Sequence, residues 1–239
     1  MNRKIVLLSV LVASVVILSP AWRLPQDKLP AVILKVKNVV EKTRPTSGWT
    51  KAVPLDQLAN GQQVRTDANS IALIQFSDQT KLILREKSIA EIKGQIQGRE
   101  IIDRSVNMTR GNVRFDVKKS EKEQFRFSSP ISVASIRGTI GAYIADNDSL
   151  NKLIIEQGLA TLLSLISNRS EDVGDNQTGL ADDQGNVSVR ESNPDERGET
   201  GDQEFQDDPP GTRKVLRIPG EDRDGNPRTI IIEWEEPRR

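Results

Sequence analysis

The charged side chains are where any chemistry in this sequence must be sought, because two of the usual reactive residue types are absent. The 239 residues include no histidine and no cysteine. Histidine is the commonest general base and metal ligand, and cysteine supplies thiolate nucleophiles, thiolate metal ligands and disulfides. Paired carboxylates remain as candidates for hydrolysis, but nothing in the spacing selects a pair. We therefore predict that the protein is not an enzyme.

One acidic segment has offsets similar to those of a calcium-binding loop. Asp222, Asp224 and Asn226 alternate along the chain, and Glu233 follows. Calcium loops take oxygen ligands at alternating positions, but they need glycine at the sixth position, where this sequence has Pro227. No helical pattern flanks the segment. We interpret it as a polar hairpin turn, and we predict no metal and no cofactor.

A second candidate is an anion site at Arg137, Gly138 and Thr139. A glycine beside an arginine is equally typical of a β-bulge or corner, because glycine accepts backbone shapes that other residues avoid. We favour the corner. The charged stretch 118–123 mixes lysines with Glu121 and Glu123, which is typical of a solvated loop. The formal net charge of the chain is zero, so its overall charge implies no nucleic-acid partner.

The segments that must position these residues have the pattern of short β-strands. Apolar residues alternate with polar ones, and turns rich in Gly, Asn, Asp and Pro separate the runs. The stretch 159–166 also fits helical spacing, but its length and its neighbours favour a strand. No long helical segment intervenes. The sequence predicts an all-β fold, a sandwich or a short β-solenoid, over residues 31–190.

The N-terminus has the order of an export signal. Arg3 and Lys4 precede an apolar run, 5–18, and small residues follow at 19–21. Residues 1–21 are predicted to be a signal peptide, with an uncleaved signal anchor as the alternative. Both interpretations place the rest of the chain outside the cytoplasm, with membrane contact only through this segment.

After the β region the composition becomes acidic. Residues 191–213 are predicted to be a disordered linker. Residues 214–236 have two strand-like runs around a polar turn, which predicts a C-terminal β-hairpin. Two strands alone are marginally stable in water, so the tail is expected to dock on its own domain or on another chain. The candidate docking residues are Val215, Ile218, Ile231 and Trp234.

A series of short motifs, in a fixed order, gives the chain a resemblance to a known family. They lie at 49–52, 58–61, 64–66, 72–78, 111–113, 133–139 and 156–158. In this order they resemble a FecR domain, from about Val36 to Ala160. The motif residues, which the resemblance implies are structural or interaction residues, are Trp49, Gly61, Thr66, Phe76, Asp78, Gly111, Arg137, Gly138, Thr139 and Gly158.

Departures from the family pattern limit what the resemblance implies. The family turn is usually Asp-Gly, whereas this chain has Asp78-Gln79, so we expect a turn of another type. An aromatic residue is common where this chain has Gly141. Only four residues precede the apolar run. The resemblance is therefore to a periplasmic domain without the N-terminal anti-sigma region, and it does not imply sigma-factor binding.

These observations lead to two expected functions. The first is a protein-interaction or signalling module of the cell envelope with a protein partner. The alternative is a module that binds cell-surface polysaccharide or has a structural role, for which Trp49, Tyr143 and Trp234 are the candidate aromatic contacts.

Overall fold

The computed structural model describes residues 30–44, 48–97, 100–120, 124–146, 149–198, 212–221 and 227–236. Seventeen strands join into one hydrogen-bonded sheet that divides into two layers. Every ladder in this sheet is antiparallel except the parallel ladder between β9 and β10.

Sheet I contains nine strands, labelled in chain order. Their spatial order is β4 (Gln57–Leu58), β1 (Ala31–Lys37), β6 (Ile71–Phe76), β7 (Lys81–Leu84), the second half of β9 (Glu100–Asp116), β12 (Ile140–Asp146), β13 (Leu150–Gln157), β16 (Gln177–Asp182) and β17 (Val187–Glu191).

Sheet II faces sheet I and also contains nine strands, because β9 contributes to both. Their spatial order is β3 (Trp49–Lys51), β2 (Val40–Thr43), β5 (Gln62–Thr66), β8 (Ile89–Gln97), the first half of β9, β10 (Phe125–Ser128), β11 (Ser132–Ile136), β14 (Ala160–Ser164) and β15 (Ser170–Val173).

The core fills the space between the two sheets, because alternate side chains of each strand point inward. Phe115 of sheet I stacks on Phe127 of sheet II, with ring centroids 4.9 Å apart. Phe76 meets Phe125 edge to face at 5.0 Å. Tyr143 lies 5.9 Å from Phe127. All five rings are buried, so the few aromatic residues of the chain are concentrated where the layers meet.

The all-β expectation is confirmed, and the structure favours the two-layer form of it. The stretch 159–166 contains strand β14, as the sequence predicts, and not a helix. The 111–113 motif lies inside strand β9, which is one continuous strand of 17 residues. Its first half pairs in sheet II and its second half in sheet I.

The predicted linker is partly ordered. Strand β17 extends to Glu191, and a short helix, α1 (Pro194–Gly198), follows it. The structure therefore differs from the prediction of disorder for residues 191–198, because Glu196 makes specific bonds there. Residues 199–211, the predicted signal segment 1–21 and the turn 222–226 lie outside the described residues. The domain boundaries stay predictions.

The C-terminal hairpin consists of β18 (Thr212–Glu221) and β19 (Pro227–Glu236), which form a separate two-stranded antiparallel sheet. Val215 pairs with Glu233 and Ile218 with Ile230. Because positions alternate between the two sides of a ladder, Ile218 and Trp234 fall on one side. Val215 and Ile231 fall on the other, so the predicted docking residues do not share a side.

Candidate functional site

The motif glycines lie where the chain passes between the two sheets. Nine such passages in the described part each contain one residue with positive φ. These residues are Asn38, Leu55, Gly61, Asn69, Lys87, Gly111, Gly138, Gly158 and Asn176. All four predicted motif glycines are among them. Positive φ lets a strand leave one layer and enter the other within a few residues, so these motif positions have a structural function.

Two motifs that are distant in sequence form one contact between neighbouring corners. The hydroxyl of Thr139 donates to the carbonyl of Leu159 at 3.0 Å. A Cβ atom on Gly158 would lie 2.9 Å from Thr139 Oγ1 and 3.1 Å from the carbonyl oxygen of Gly138, so any side chain there would force these corners apart. Arg137 is exposed beside this contact. The 133–139 and 156–158 motifs therefore pack on each other.

The space beside Gly138 is not available as an anion cradle. An added Cβ at Gly138 would meet Lys119 Cβ at 2.7 Å. The backbone N–H of Val117 donates to the carbonyl of Thr139 at 3.0 Å. The corner is thus closed by the segment that follows β9, and the geometry favours the corner interpretation of the 137–139 motif.

Asp78 connects a turn of sheet I to a strand of sheet II. Its carboxylate accepts from the hydroxyl of Thr80 at 2.7 Å and from the backbone N–H of Thr80 at 3.1 Å. It also accepts from the guanidinium of Arg104, which is 5% exposed and lies on the first half of β9. The chain has Gln79 where the family usually has glycine, and for that reason we expected a turn of another type. Gln79 nevertheless adopts positive φ, +70°, so the expectation is wrong in this respect. The bonds of Asp78 hold that turn.

Trp49 and Thr66 contribute to contacts at two places, the edge of sheet II at β3 and the corner between β7 and β8, respectively. The guanidinium of Arg65 lies 4.2 Å from the ring centroid of Trp49, and it pairs with Glu41 at 2.6 Å. Thr66 Oγ1 donates to the carbonyl of Arg85 at 2.5 Å and accepts from the backbone N–H of Ser88 at 3.0 Å. Trp49 lies on the edge strand β3 and is half-buried, with Arg65 covering one face of its ring.

A buried polar network surrounds Tyr143. The Tyr143 and Ser132 hydroxyls are 2.8 Å apart. The Asn151 amide donates to Ser132 Oγ at 2.8 Å, to Tyr143 Oη at 3.2 Å and to Ser129 Oγ. Burial raises the pKa of the Tyr143 hydroxyl. Tyr143 is fully buried, so its expected role as an exposed sugar platform is wrong.

Sequence reasoning missed a contact that fixes the end of sheet I. The Glu196 carboxylate accepts two bonds from the Arg190 guanidinium, at 2.6 and 2.8 Å. It also accepts from the Thr178 hydroxyl at 3.1 Å and from the backbone N–H of Asn193 at 2.9 Å. We call this set of contacts the Glu196 clasp. The Arg190 bonds lower the pKa of Glu196 to about 2.

The clasp has a recognisable signal in the sequence. Asn193 precedes Pro194, and Glu196 is three residues after Asn193. An N-cap residue followed by proline at the first helical position and glutamate at the third is a helix-start pattern, the capping box. The acidic surroundings concealed it, because the whole of 191–213 fits a linker on composition alone.

A surface cleft of about 520 Å³ lies beside the bend of β9. Its wall includes the cations Lys87, Arg110 and Lys152, and the acids Glu86 and Asp146. The Glu86 carboxylate accepts from the backbone N–H of Asn69 at 2.6 Å. The alternating charges give no field of one sign, so the cleft does not define a ligand class.

The predicted motif residues are distributed over corners, turns and an edge strand, and they do not converge on one cleft. Among the residues that the structure describes, no group of three or more acidic side chains is placed to hold a metal ion. No helix in the described part is long and apolar enough to cross a membrane. The fold and these contacts define a two-layer β domain in which most motif residues serve corners, turns and internal contacts, whereas Arg137 is exposed.

Comparisons with known proteins identify this domain. Residues 62–159 match the family model described as FecR protein. The match confirms, over residues 62–159, the resemblance to a FecR domain that the sequence predicts. The match supports a role in signalling or protein interaction. A search of curated proteins found no match.

Two crystal structures are similar to part of this chain. Both are described as a "putative anti-sigma factor" from Parabacteroides distasonis, solved at 2.50 and 1.65 Å resolution. Their TM-scores are 0.48 and 0.47, each at 14% sequence identity. Each similarity covers 55% of this chain and 60% of the other chain.

Proposed function

We propose that the chain is an exported, non-catalytic FecR-like protein of the cell envelope, and that it acts as a protein-interaction or signalling module. The observation that carries this proposal is the FecR match over residues 62–159. The use of the motif residues supports it. The hydrogen-bonding groups of Asp78 and Thr139 are engaged in internal bonds, which fits a structural role for these two residues better than a reactive one.

The edge strands of the two sheets offer unpaired main-chain N–H and C=O groups that a partner could bind. Strands β15 and β17 lie at the same end of the sandwich, and among the described residues each has a ladder partner on one side only. An unpaired edge can accept an added strand from a partner through main-chain hydrogen bonds. Glu171 and Asp172 are exposed on β15 and oppose such pairing there. The edge of β17 is the better acceptor for an extended segment of a partner protein.

The C-terminal hairpin is the second proposed contact with a partner. Its two sides are distinct, with Val215 and Ile231 on one and Ile218 and Trp234 on the other. A hairpin that is connected to the β domain by residues 199–211 presents a separate binding element from the edge of β17. A truncation can therefore distinguish the two contacts.

The test is crosslinking followed by mass spectrometry on envelope fractions, with the intact chain and a chain ending at Gly198. Ending at Gly198 retains the Glu196 clasp, which a shorter chain would destroy. We expect capture of a specific protein partner. Capture by the intact chain alone would assign the contact to the hairpin, and equal capture would assign it to the β domain. Absence of any specific protein partner with either chain would contradict the proposed function.

A further inference from the structure

The outer face of sheet I carries a row of residues that the strand registers align across seven strands. The ladders pair each member with the next, from β6 to β17. We call it the outer row, and its members are Leu73, Ile83, Arg114, Ala142, Ile154, Thr178 and Arg190. The outer face of a two-layer sandwich normally contacts water and is polar. Four members of this row are instead apolar.

The centre of the outer row is buried. Ile83, Ala142 and Ile154 are 8%, 0% and 1% exposed, yet none of them belongs to the core between the sheets. The Arg114 side chain is only 11% exposed, and its guanidinium lies 3.6 Å from Glu156. Burial of an arginine and three apolar side chains on an outward face is typical of a surface beneath a further layer.

The Glu196 clasp holds the chain over one end of this row. Glu196 bonds to Thr178 and Arg190, which are the last two members of the outer row. Helix α1 therefore lies on the outer face of sheet I. Gly198, the last residue of α1, lies at this face.

The length of the following segment allows the hairpin to lie on the same face. Residues 199–211 separate α1 from β18, and 13 residues span up to about 43–47 Å when extended. The outer row crosses six strand spacings, about 29 Å at the usual interval of 4.8 Å. The hairpin can therefore lie over any part of the row.

One side of the hairpin has the composition that this face requires. Leu216 pairs with Ile232, Ile218 pairs with Ile230, and Trp234 pairs with Lys214. Strand alternation places these six positions on one side of the ladder. An isolated hairpin is marginally stable in water, and packing on an apolar surface supplies the missing stabilisation.

We propose that the C-terminal hairpin packs the side bearing Leu216, Ile218, Ile230, Ile232 and Trp234 on the outer row, as a third layer of the same molecule. The opposite side, with Val215 and Ile231, then remains for a partner. The packing itself requires no partner, so it is independent of the proposed function.

The test uses thiol labelling of the purified full chain, which contains no cysteine of its own. Ile83→Cys places a reporter in the buried part of the outer row, and Ala142→Cys, at the fourth of its seven positions, is a second reporter with little change in volume. The double substitution Ile230→Asp and Ile232→Asp puts charge on the docking side of the hairpin. Ile231→Asp is the matched control on the opposite side. Leu159→Cys, at a position 57% exposed, reports the rate of an accessible thiol.

We expect both reporters to react with a maleimide at least tenfold faster in the double-aspartate chain, and at an unchanged rate in the Ile231→Asp chain. Reporter rates that are equal in all three chains would overturn the proposal. Protection that decreases when the protein is diluted would also overturn it, because the occupant would then be the hairpin of a second copy.

Discussion

Glu196 illustrates how a single carboxylate can fix the end of a sheet. Its partners come from β16, from β17 and from the start of α1. The bonds from Arg190 are the main reason why the pKa of Glu196 falls to about 2 from an ordinary value near 4.5. A group with a lowered pKa in the folded state stabilises that state above its ordinary pKa. That stabilisation is lost as the pH falls from about 4.5 toward 2.

Glu196→Gln tests this contribution. The amide keeps the shape of the side chain, but it removes the charge and one acceptor. We expect the free energy of unfolding to decrease by about 1–3 kcal/mol at neutral pH, measured by urea denaturation.

The control for Glu196 is Asp195→Asn, on the exposed side of the same helix, which should change stability by less than about 0.5 kcal/mol. The difference between wild type and Glu196→Gln should diminish as the pH falls from 4.5 toward 2. A difference of constant size across that range would contradict the assignment of the effect to the ionised carboxylate.

Some residue roles were accessible from the sequence and others were not. Gly138 could be assigned to a corner, because glycine accepts backbone shapes that other residues avoid. The partnership of Arg190 with Glu196 could not be predicted. It depends on α1 turning back over the outer face of sheet I, and local composition does not determine that turn.

At the scale of elements, β9 connects the two layers by belonging to both. The strand bends at Gly111, whose φ is +106°. An added Cβ there would lie 2.1 Å from Ser88 Oγ and 2.5 Å from Ser88 Cα. The backbone of the β7–β8 corner thus occupies the space that a side chain would need. Both the backbone shape and the close approach require glycine.

Gly111→Ala should therefore be strongly destabilising. We expect a loss of roughly 3 kcal/mol or more, which combines backbone strain and overpacking, measured by thermal or urea unfolding. Gly48→Ala is the matched control, because Gly48 also has positive φ, +78°, but nothing lies within 4 Å of the added Cβ. It should cost only the backbone strain, about 1 kcal/mol. Equal losses in the two variants would show that the contact with Ser88 is unimportant.

Most strands could be predicted from apolar alternation, but their arrangement could not. The hairpin of β6 and β7 is a local pattern, and its turn at Asp78 is visible in the sequence. The pairing of β13 with β16 joins residues on either side of β14 and β15, and no local signal specifies it. Strand β4 has two residues, too few to show any period.

At the scale of the whole molecule, the aromatic side chains join the two layers. Phe127 of sheet II contacts Phe115, Phe125 and Tyr143, with ring centroids 4.9 to 5.9 Å apart. Two of these three partners belong to sheet I. Since β9 also connects the layers, we expect the sandwich to unfold as one cooperative unit.

Phe127→Ala should reduce the stability of both layers together. We expect a loss of about 3–5 kcal/mol in the free energy of unfolding, with one transition by both circular dichroism and tryptophan fluorescence. Leu159→Ala, at an exposed position, is the control and should change stability by less than about 0.5 kcal/mol. Two separate transitions in the Phe127→Ala protein would contradict a single cooperative unit.

The order of strands in sheet I determines how the β domain would respond to tension. Ala31 begins β1 and Glu191 ends β17, and seven ladders separate these two strands, a span of about 34 Å. A pull applied between these points acts perpendicular to the strands, so the hydrogen-bonded ladders are loaded one after another. The domain should therefore yield at low force by peeling. A molecule stretched between an anchor at one end and a bound partner at the other would therefore yield at a lower force than one in which the pull acts along the strands.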